Sequence, residues 1–232
     1  MPQILKGKPV ADAMNIRTKD MVESLKARGI QPALAILRVG AQDDDLSYER
    51  GAMKRCADLN IQCRSVSFER DVSEDAFLAS LESLSQNPDV HAAMEILHFY
   101  GVDPCGKRAV VIGRSLVIGR PVAMMLMHEN ATVTLCHTRT KNMHEICHEA
   151  EILICASGQM ESIGSQYLTS HQVVIDVGIS WNEQKKKLCG DVRYEEVLDM
   201  VDAITPVPGG VGSVTTSVLT RHVVEAAQRM NT

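Results

Sequence analysis

Apolar and polar positions follow two rhythms along the chain. From Ala11 to Arg28, Ala13, Ile16, Met21, Val22 and Leu25 recur at near-helical spacing, and Gly29 closes the run as a C-cap. Pro32 to Gly40 is a short apolar run between Pro and Gly, which predicts a buried strand. After Asp43-Asp44-Asp45 a second helix is predicted at about Ser47 to Leu59, and a second strand at Gln62 to Phe68. Ser73 to Leu84 reads as a helix, with Ser73 as N-cap and Glu74 and Asp75 favouring its N-terminal dipole.

The alternation then breaks. After Asn87-Pro88 a strand is due and Asp89-Val90-His91 begins one, yet Ala92 to Phe99 is already helical in pattern. One piece of the order is missing between about Val90 and Ala93. The second half is regular: strands at Arg108–Gly113, Ala131–Cys136, Ile152–Ala156 and Val173–Val177, and helices at Pro121–His128, His144–Ala150 and Thr215–Arg229. Trp181 to Leu188 reads as a polar hairpin with Lys185-Lys186-Lys187 solvated at its tip.

Strands alternating with helices of these lengths imply parallel βαβ units. The expected fold class is α/β, with two α/β domains, the C-terminal one a Rossmann-like, doubly wound parallel sheet. The expected division is residues 1–98, 99–206, and 207–232 as a helix returning to the first domain.

Composition narrows the chemistry. The 232 residues are 45% hydrophobic and 23% charged, too apolar for a disordered chain. A net charge of −5 and 3% aromatics exclude the basic footprint of a nucleic-acid binder. No apolar run reaches the length of a signal peptide core or a membrane span. Seven cysteines, an odd number without C-x-x-C spacing, fit neither a disulfide framework nor a zinc site, and no metal site is read. Cys136 and Cys155, in apolar runs, read as buried free thiols of a cytoplasmic protein.

Three segments carry chemistry. In Val110 to Pro121 a buried strand ends at Gly113, a short loop Arg114-Ser115-Leu116-Val117-Ile118 follows, and Gly119 precedes Pro121 at an expected helix N1. Backbone N–H groups and a helix dipole facing an anion suit a phosphate, though the spacing is not G-x-G-x-x-G. One unit later the strand ends in Cys136-His137-Thr138-Arg139-Thr140, with no carboxylate before Glu145. Where an acidic residue would meet the ribose of NAD, Thr138, Arg139 and Lys141 favour the 2′-phosphate of NADP. The third segment is Ile204 to Gly212, a rigid loop of two prolines and three glycines, following Val174 to Ile179 at the same sheet edge.

Together these segments resemble the methylenetetrahydrofolate dehydrogenase/cyclohydrolase family. The match is to G-R-S-x-x-x-G-x-P at Gly113 to Pro121, C-H-[ST]-x-T at Cys136 to Thr140, V-I-D-V-G-I at Val174 to Ile179, G-D-V at Gly190 to Val192, and I-T-P-V-P-G-G-V-G at Ile204 to Gly212. Gly7-Lys8, Pro32 to Gly40 and Ser47-Tyr48 extend it more loosely to the N-terminal half. The resemblance implies a folate domain followed by an NADP-binding domain and a homodimer. It implies that tetrahydrofolate one-carbon derivatives are the partners, with neither nucleic acid nor membrane. By resemblance, Gly113, Arg114, Ser115, Gly119 and Pro121 serve the cofactor phosphate, Thr138 and Arg139 its adenosine end, and Ile179 the nicotinamide. Pro208, Gly209 and Gly210 face the folate, and Tyr48 positions it.

Three departures stand out. The family's catalytic Lys, four residues after the Tyr, is Ala52 here; Lys54 lies roughly 200° further round the helix and is a substitute only after a register change. The family's Q-L-P-[LV]-P and D-[GV]-F segments are absent and belong between Val90 and Ala93. Ser213-Val214-Thr215 stands where the family has Pro-Met-Thr.

One expectation is an NADP-dependent 5,10-methylenetetrahydrofolate dehydrogenase with a further internal stretch outside these 232 residues, and weak or lost cyclohydrolase activity. The alternatives are a shortened, catalytically dead nucleotide-binding homologue and a different NADP-dependent Rossmann dehydrogenase. Removing a core strand would leave its neighbours' backbone donors unpaired, which weighs against the shortened form.

Overall fold

The structure, a computed structural model, describes residues 1–39, 43–68 and 88–229. In chain order its elements begin β1 (Gln3–Ile4), α1 (Gly7–Ala27), β2 (Ala33–Val39), α2 (Asp43–Asp58), β3 (Gln62–Phe68) and α3 (Pro88–Phe99). There follow β4 (Arg108–Ile112), α4 (Gly119–His128), β5 (Thr132–Cys136), α5 (Met143–His148) and β6 (Ile152–Cys155). The last are β7 (Val173–Asp176), β8 (Ser180–Asn182), β9 (Lys187–Cys189), α6 (Tyr194–Val197), β10 (Ala203–Ile204) and α7 (Thr215–Arg229). The helix expected at Ser73 to Leu84 lies outside the described residues.

Two compact units divide the chain: residues 1–10 with 89–215, and residues 11–88 with 216–232. The boundaries differ from the expected 98/99 and 206/207, and pairing explains one difference. Gln3 and Ile4 lie beside Ala203 and Ile204, so the N-terminal strand joins the larger unit's sheet.

That sheet has six parallel strands in the order β1-β10-β7-β6-β4-β5. Val110 and Ile112 enter a core with Cys136, Leu153, Cys155 and Val174, while Ala109, Val111, Ile152, Ile154 and Ile175 are equally buried at the alternate positions. Both faces of β4, β6 and β7 are covered, which is why these three strands read as nearly unbroken apolar runs, whereas the edge strand β5 alternates. Each fully buried Val, Leu or Ile contributes about 1.5–3 kcal/mol, a gross figure before conformational entropy is set against it. Successive strands run to opposite sides of β4, so the order reverses between β4 and β6. Open α/β sheets take ligands at the carboxyl ends of strands at such a reversal.

In the smaller unit β2 and β3 pair in parallel from Ala33 beside Gln62 to Val39 beside Phe68. Val22 and Leu25 of α1, Cys56 of α2 and Val224 of α7 share a core with Leu34, Leu59 and Ile61.

Two local expectations are corrected. Asp89 to His91 form no strand; α3 runs unbroken through Val90 and Ala93, with Pro88 at the first helical position, where its missing N–H leaves no intrahelical bond unmade. From Ala92 on, this helix buries Ala92, Ala93, Met94, Ile96 and Leu97, an apolar content that a single amphipathic stripe does not need. Pro121 is the third rather than the first residue of α4, because the helix already starts at Gly119. Residues 180–189 form the expected antiparallel hairpin, although Lys185 pairs with Glu161. No helix among the described residues is long and apolar enough to cross a membrane.

Candidate functional site

At the strand-order reversal the backbone is unusually close. Gly113 has φ 116°, and a Cβ there would fall 2.0 Å from the carbonyl oxygen of Ala156, just beyond β6. A Cβ on Gly119 would fall 2.1 Å from the carbonyl oxygen of Gly113, so the turn folds back on its own first residue. Gly113 donates to the Cys136 carbonyl at 2.9 Å, which ties the turn to the end of β5. Ser115 Oγ accepts from the backbone of Ile118 at 3.0 Å and Gly119 at 3.2 Å, so its hydroxyl caps the start of α4. Arg114 is exposed, and among the described residues it has no ion pair. A bare-backbone turn, a helix N-terminus and an exposed guanidinium form a cradle that fits a dinucleotide phosphate.

The segment after β5 is a tight turn. Thr140 donates its N–H to the His137 carbonyl at 2.8 Å, and His137 donates its N–H to Thr140 Oγ1 at 2.9 Å. His137 Nδ1 accepts from the Arg139 backbone at 3.1 Å. Thr138 and Arg139 occupy the exposed tip. Their backbone is fixed while their side chains reach solvent, as recognition of a ribose phosphate requires.

Further along the same sheet edge, a cavity of about 280 Å³ is lined by Asp176 to Ile179 and Pro206 to Ser213. Ile179 is 61% exposed, an apolar side chain left largely open among the described residues. Val207–Pro208 is cis. Gly7 donates to the Gly209 carbonyl at 2.8 Å, so the start of α1 supports the Pro208-Gly209-Gly210 wall. The structure therefore gathers Gly113, Ser115 and Gly119 at one turn, and Ile179, Pro208, Gly209 and Gly210 around one cavity. Tyr48, Ala52 and Lys54 belong to the smaller unit.

On α2, Tyr48 and Ala52 are one turn apart, about 40° round the helix, and Lys54 is about 120° from Tyr48. Tyr48 is 45% exposed and Ala52 fully buried, while Lys54 is exposed.

Sequence reasoning passed over Asp176. It ends the otherwise apolar β7, is 3% exposed, and accepts backbone N–H bonds from Gly178, Asp191 and Val192. Burial pushes its carboxyl up to about 7, an effect the three N–H donors oppose and the neighbouring Asp191 reinforces. A lone carboxylate closing the run Val173-Val174-Ile175 was the available signal.

Comparison with known proteins places these features. Residues 5–97 match the family described as "Tetrahydrofolate dehydrogenase/cyclohydrolase, catalytic domain", and residues 88–231 match the corresponding "NAD(P)-binding domain". The "Bifunctional protein FolD" of Carboxydothermus hydrogenoformans is 39% identical, over 100% of this chain and 99% of that protein. That alignment runs over 284 positions against 232 residues here, so the relative has positions without a counterpart in this chain. The bifunctional FolD enzyme of Campylobacter jejuni superposes with a TM-score of 0.93 at 26% identity, over 99% of this chain and 100% of that one. The Trypanosoma brucei methylenetetrahydrofolate dehydrogenase-cyclohydrolase, solved with NADP cofactor and an inhibitor, gives 0.88 at 26% identity over 99% of each chain.

Proposed function

Since the chain belongs to the tetrahydrofolate dehydrogenase/cyclohydrolase family, we propose that it oxidises 5,10-methylenetetrahydrofolate to 5,10-methenyltetrahydrofolate with NADP, and that its cyclohydrolase step to 10-formyltetrahydrofolate is weak or lost. The observation that carries the dehydrogenase half is the turn at Gly113 and Gly119, built at the sheet's strand-order reversal. When bound there, the dinucleotide supplies the acceptor for the hydride leaving the folate's methylene bridge.

The chain's own residues do the positioning. Gly113, Gly119 and Pro121 shape the phosphate turn, Ser115 holds it closed, and Arg114 neutralises phosphate charge. Thr138 and Arg139 take the adenosine end, and the cationic Arg139 selects the 2′-phosphate of NADP. Ile179 offers an apolar wall to the nicotinamide, and Pro208, Gly209 and Gly210 offer backbone to the folate. Tyr48 orients the substrate. The folate domain is assigned to residues 11–88 with 216–232 and the NADP domain to residues 1–10 with 89–215, in place of the expected division at 98/99 and 206/207.

Hydration of the methenyl product requires a positioned proton carrier. Ala52 stands where the family has its lysine and carries no proton, which supports a lost cyclohydrolase step. Lys54 is the alternative carrier on α2. We assign the positions missing relative to the relative's length to the region of Val90 and Ala93. Both family matches include residues 88–97, the stretch where the element order breaks.

A homodimer through the NADP domain is part of this reading. β5 is an edge strand, and Met124 and Met127 of the adjoining α4 are each 54% exposed. Seven free cysteines support a reducing, cytoplasmic setting.

The test is reduction of NADP⁺ dependent on methylenetetrahydrofolate, run in parallel with NAD⁺. Robust turnover with NADP⁺ is expected. Purified protein that binds NADPH without turnover would instead favour the catalytically dead homologue, whose support is the shortened length. Turnover of NADP⁺ with another small substrate, and none with the folate, would favour a different dehydrogenase.

A further inference from the structure

Two buried carboxylates link the loops at the carboxyl edge of the larger unit's sheet. Asp176 Oδ1 accepts from Gly178 N at 2.9 Å and Asp191 N at 3.1 Å, and its Oδ2 accepts from Val192 N at 2.9 Å. Its own backbone N–H donates to Thr205 Oγ1 at 2.7 Å. Gly178 precedes Ile179, and Thr205 precedes the Pro206–Ser213 segment. Both walls of the 280 Å³ cavity are therefore bonded to one residue.

The network continues through Asp191, which is fully buried. Its Oδ2 accepts from Ser157 N at 2.6 Å, Ser157 Oγ at 2.8 Å and Gly158 N at 3.0 Å. Ser157 follows Ala156, whose carbonyl packs against Gly113. Backbone contacts and two carboxylates thus join the phosphate turn, the segment after β6 and the cavity walls. No bulkier residue fits in the middle: a Cβ on Gly190 would fall 2.0 Å from Asp176 Oδ2.

We propose that Asp176 is a positioning residue for hydride transfer, holding the Ile179 wall and the Pro206–Ser213 wall of the cavity in register through Gly178 and Thr205. This rests on the dehydrogenase reading given above. Ring-to-ring alignment is what the protein contributes to such a reaction, and an error of about 1 Å can cost on the order of a hundredfold in rate. Asp176 also lines the cavity, and its carboxylate oxygens are engaged by the backbone N–H groups of Gly178, Asp191 and Val192.

The brace responds to pH. An ionised carboxylate accepts three N–H bonds well, whereas a protonated one turns a donor toward N–H groups. Burial raises the Asp176 carboxyl to about 7, so the change falls in the neutral range. The ionisable groups around it are Asp191 beyond β9, Cys155 on β6, and Glu161, Lys187, Cys189, Tyr194 and Glu195, which line a small cleft with it.

Hydrogen exchange of the Gly178, Asp191 and Val192 amides tests the brace without substrate or cofactor. The three N–H bonds lower the carboxyl's pKa against the effect of burial. A local opening that breaks them while Asp176 stays buried is therefore opposed once the carboxyl ionises, unlike global unfolding, which hydrates it. Protection by that local route, corrected for intrinsic exchange, is expected to rise on the order of tenfold as pH is raised through about 7, and to lose that dependence in Asp176→Asn. In steady state the variant's kcat is expected to fall at least roughly tenfold, with KM for NADP⁺ within about threefold and no pH limb near 7. Protection independent of pH in the wild type would overturn the proposal, as would an unchanged kcat in a folded variant or a loss confined to KM. Should Asp176→Asn not fold, wild-type exchange and the wild-type pH profile carry the test. A wild type that protects these amides as expected but turns over no folate refutes the dehydrogenase reading alone.

Discussion

Gly113 and Ala156 meet backbone to backbone, a Cβ on the first falling 2.0 Å from the carbonyl oxygen of the second. The residue sits at φ 116°, so Gly113→Ala combines a strained conformation with a clash. Each effect costs about 1–3 kcal/mol, and the variant is expected to lose several kcal/mol together with its affinity for NADPH. Urea unfolding and NADPH fluorescence titration measure the two losses. A variant with wild-type stability and affinity contradicts the geometry of the turn.

Arg139 is exposed on a fixed turn, so removing its side chain leaves the backbone intact. Charge-assisted hydrogen bonds contribute about 1.5–3 kcal/mol, and Arg139→Ala is expected to cut the preference for NADP⁺ over NAD⁺ roughly 10- to 100-fold. The ratio of kcat/KM for the two cofactors reads this directly. An unchanged ratio moves recognition of the 2′-phosphate to another group.

Methenyltetrahydrofolate added to the enzyme is expected to hydrate at or near the uncatalysed rate, at least about a hundredfold slower than hydride transfer. Lys54→Ala should leave that rate unchanged. Ala52→Lys places a long cationic chain at a fully buried position and is expected to cost about 1–3 kcal/mol in stability before any activity is gained. Enzyme-dependent hydration as fast as hydride transfer, lost in Lys54→Ala, would make Lys54 the proton carrier.

Asp176 gives stability a definite pH dependence. Its folded-state pKa is raised from the ordinary 3.8 to about 7, so the folded state binds the extra proton between those values. Its stabilising effect is complete below about 4 and is lost as pH rises through about 7, a change on the order of a few kcal/mol. Subtracting the Asp176→Asn melting curve from the wild-type curve at each pH isolates this contribution. A difference that grows in favour of the wild type as pH rises contradicts the sign.

Much of this was legible from periodicity. β3 appears as expected from Gln62 to Phe68, and β4 to β7 of the larger unit lie within a residue of their expected runs. For β4, β6 and β7 the reason is that residues buried on both faces leave an unbroken apolar string; the two-residue strands β1 and β10 were too short to read. Ambiguity arose where a string fits either state. Asp89 to His91 resembled a strand, but Pro88 is at home at a helix N1 and the residues after it bury several helical positions. Ser115 pointed to a phosphate, yet its hydroxyl closes the turn; residue type gives chemistry, and only the fold shows which partner is nearest. Asp176 was hidden for a related reason, since its partners are backbone N–H groups up to sixteen residues away.

The pairing of Gln3 and Ile4 with Ala203 and Ile204 has a consequence for how the protein is made. A strand completed by the third and fourth residues must wait at the ribosome until residue 204 has been synthesised. Its partner lies about two hundred residues downstream, a long loop to close for two paired residues. The start of α1, which supports the Gly209 wall through Gly7, is anchored only once that distant segment arrives. Gln3 and Ile4 are thus fixed only after Ala203 and Ile204 have been made, and the Gly7 support of the Gly209 wall is fixed with them.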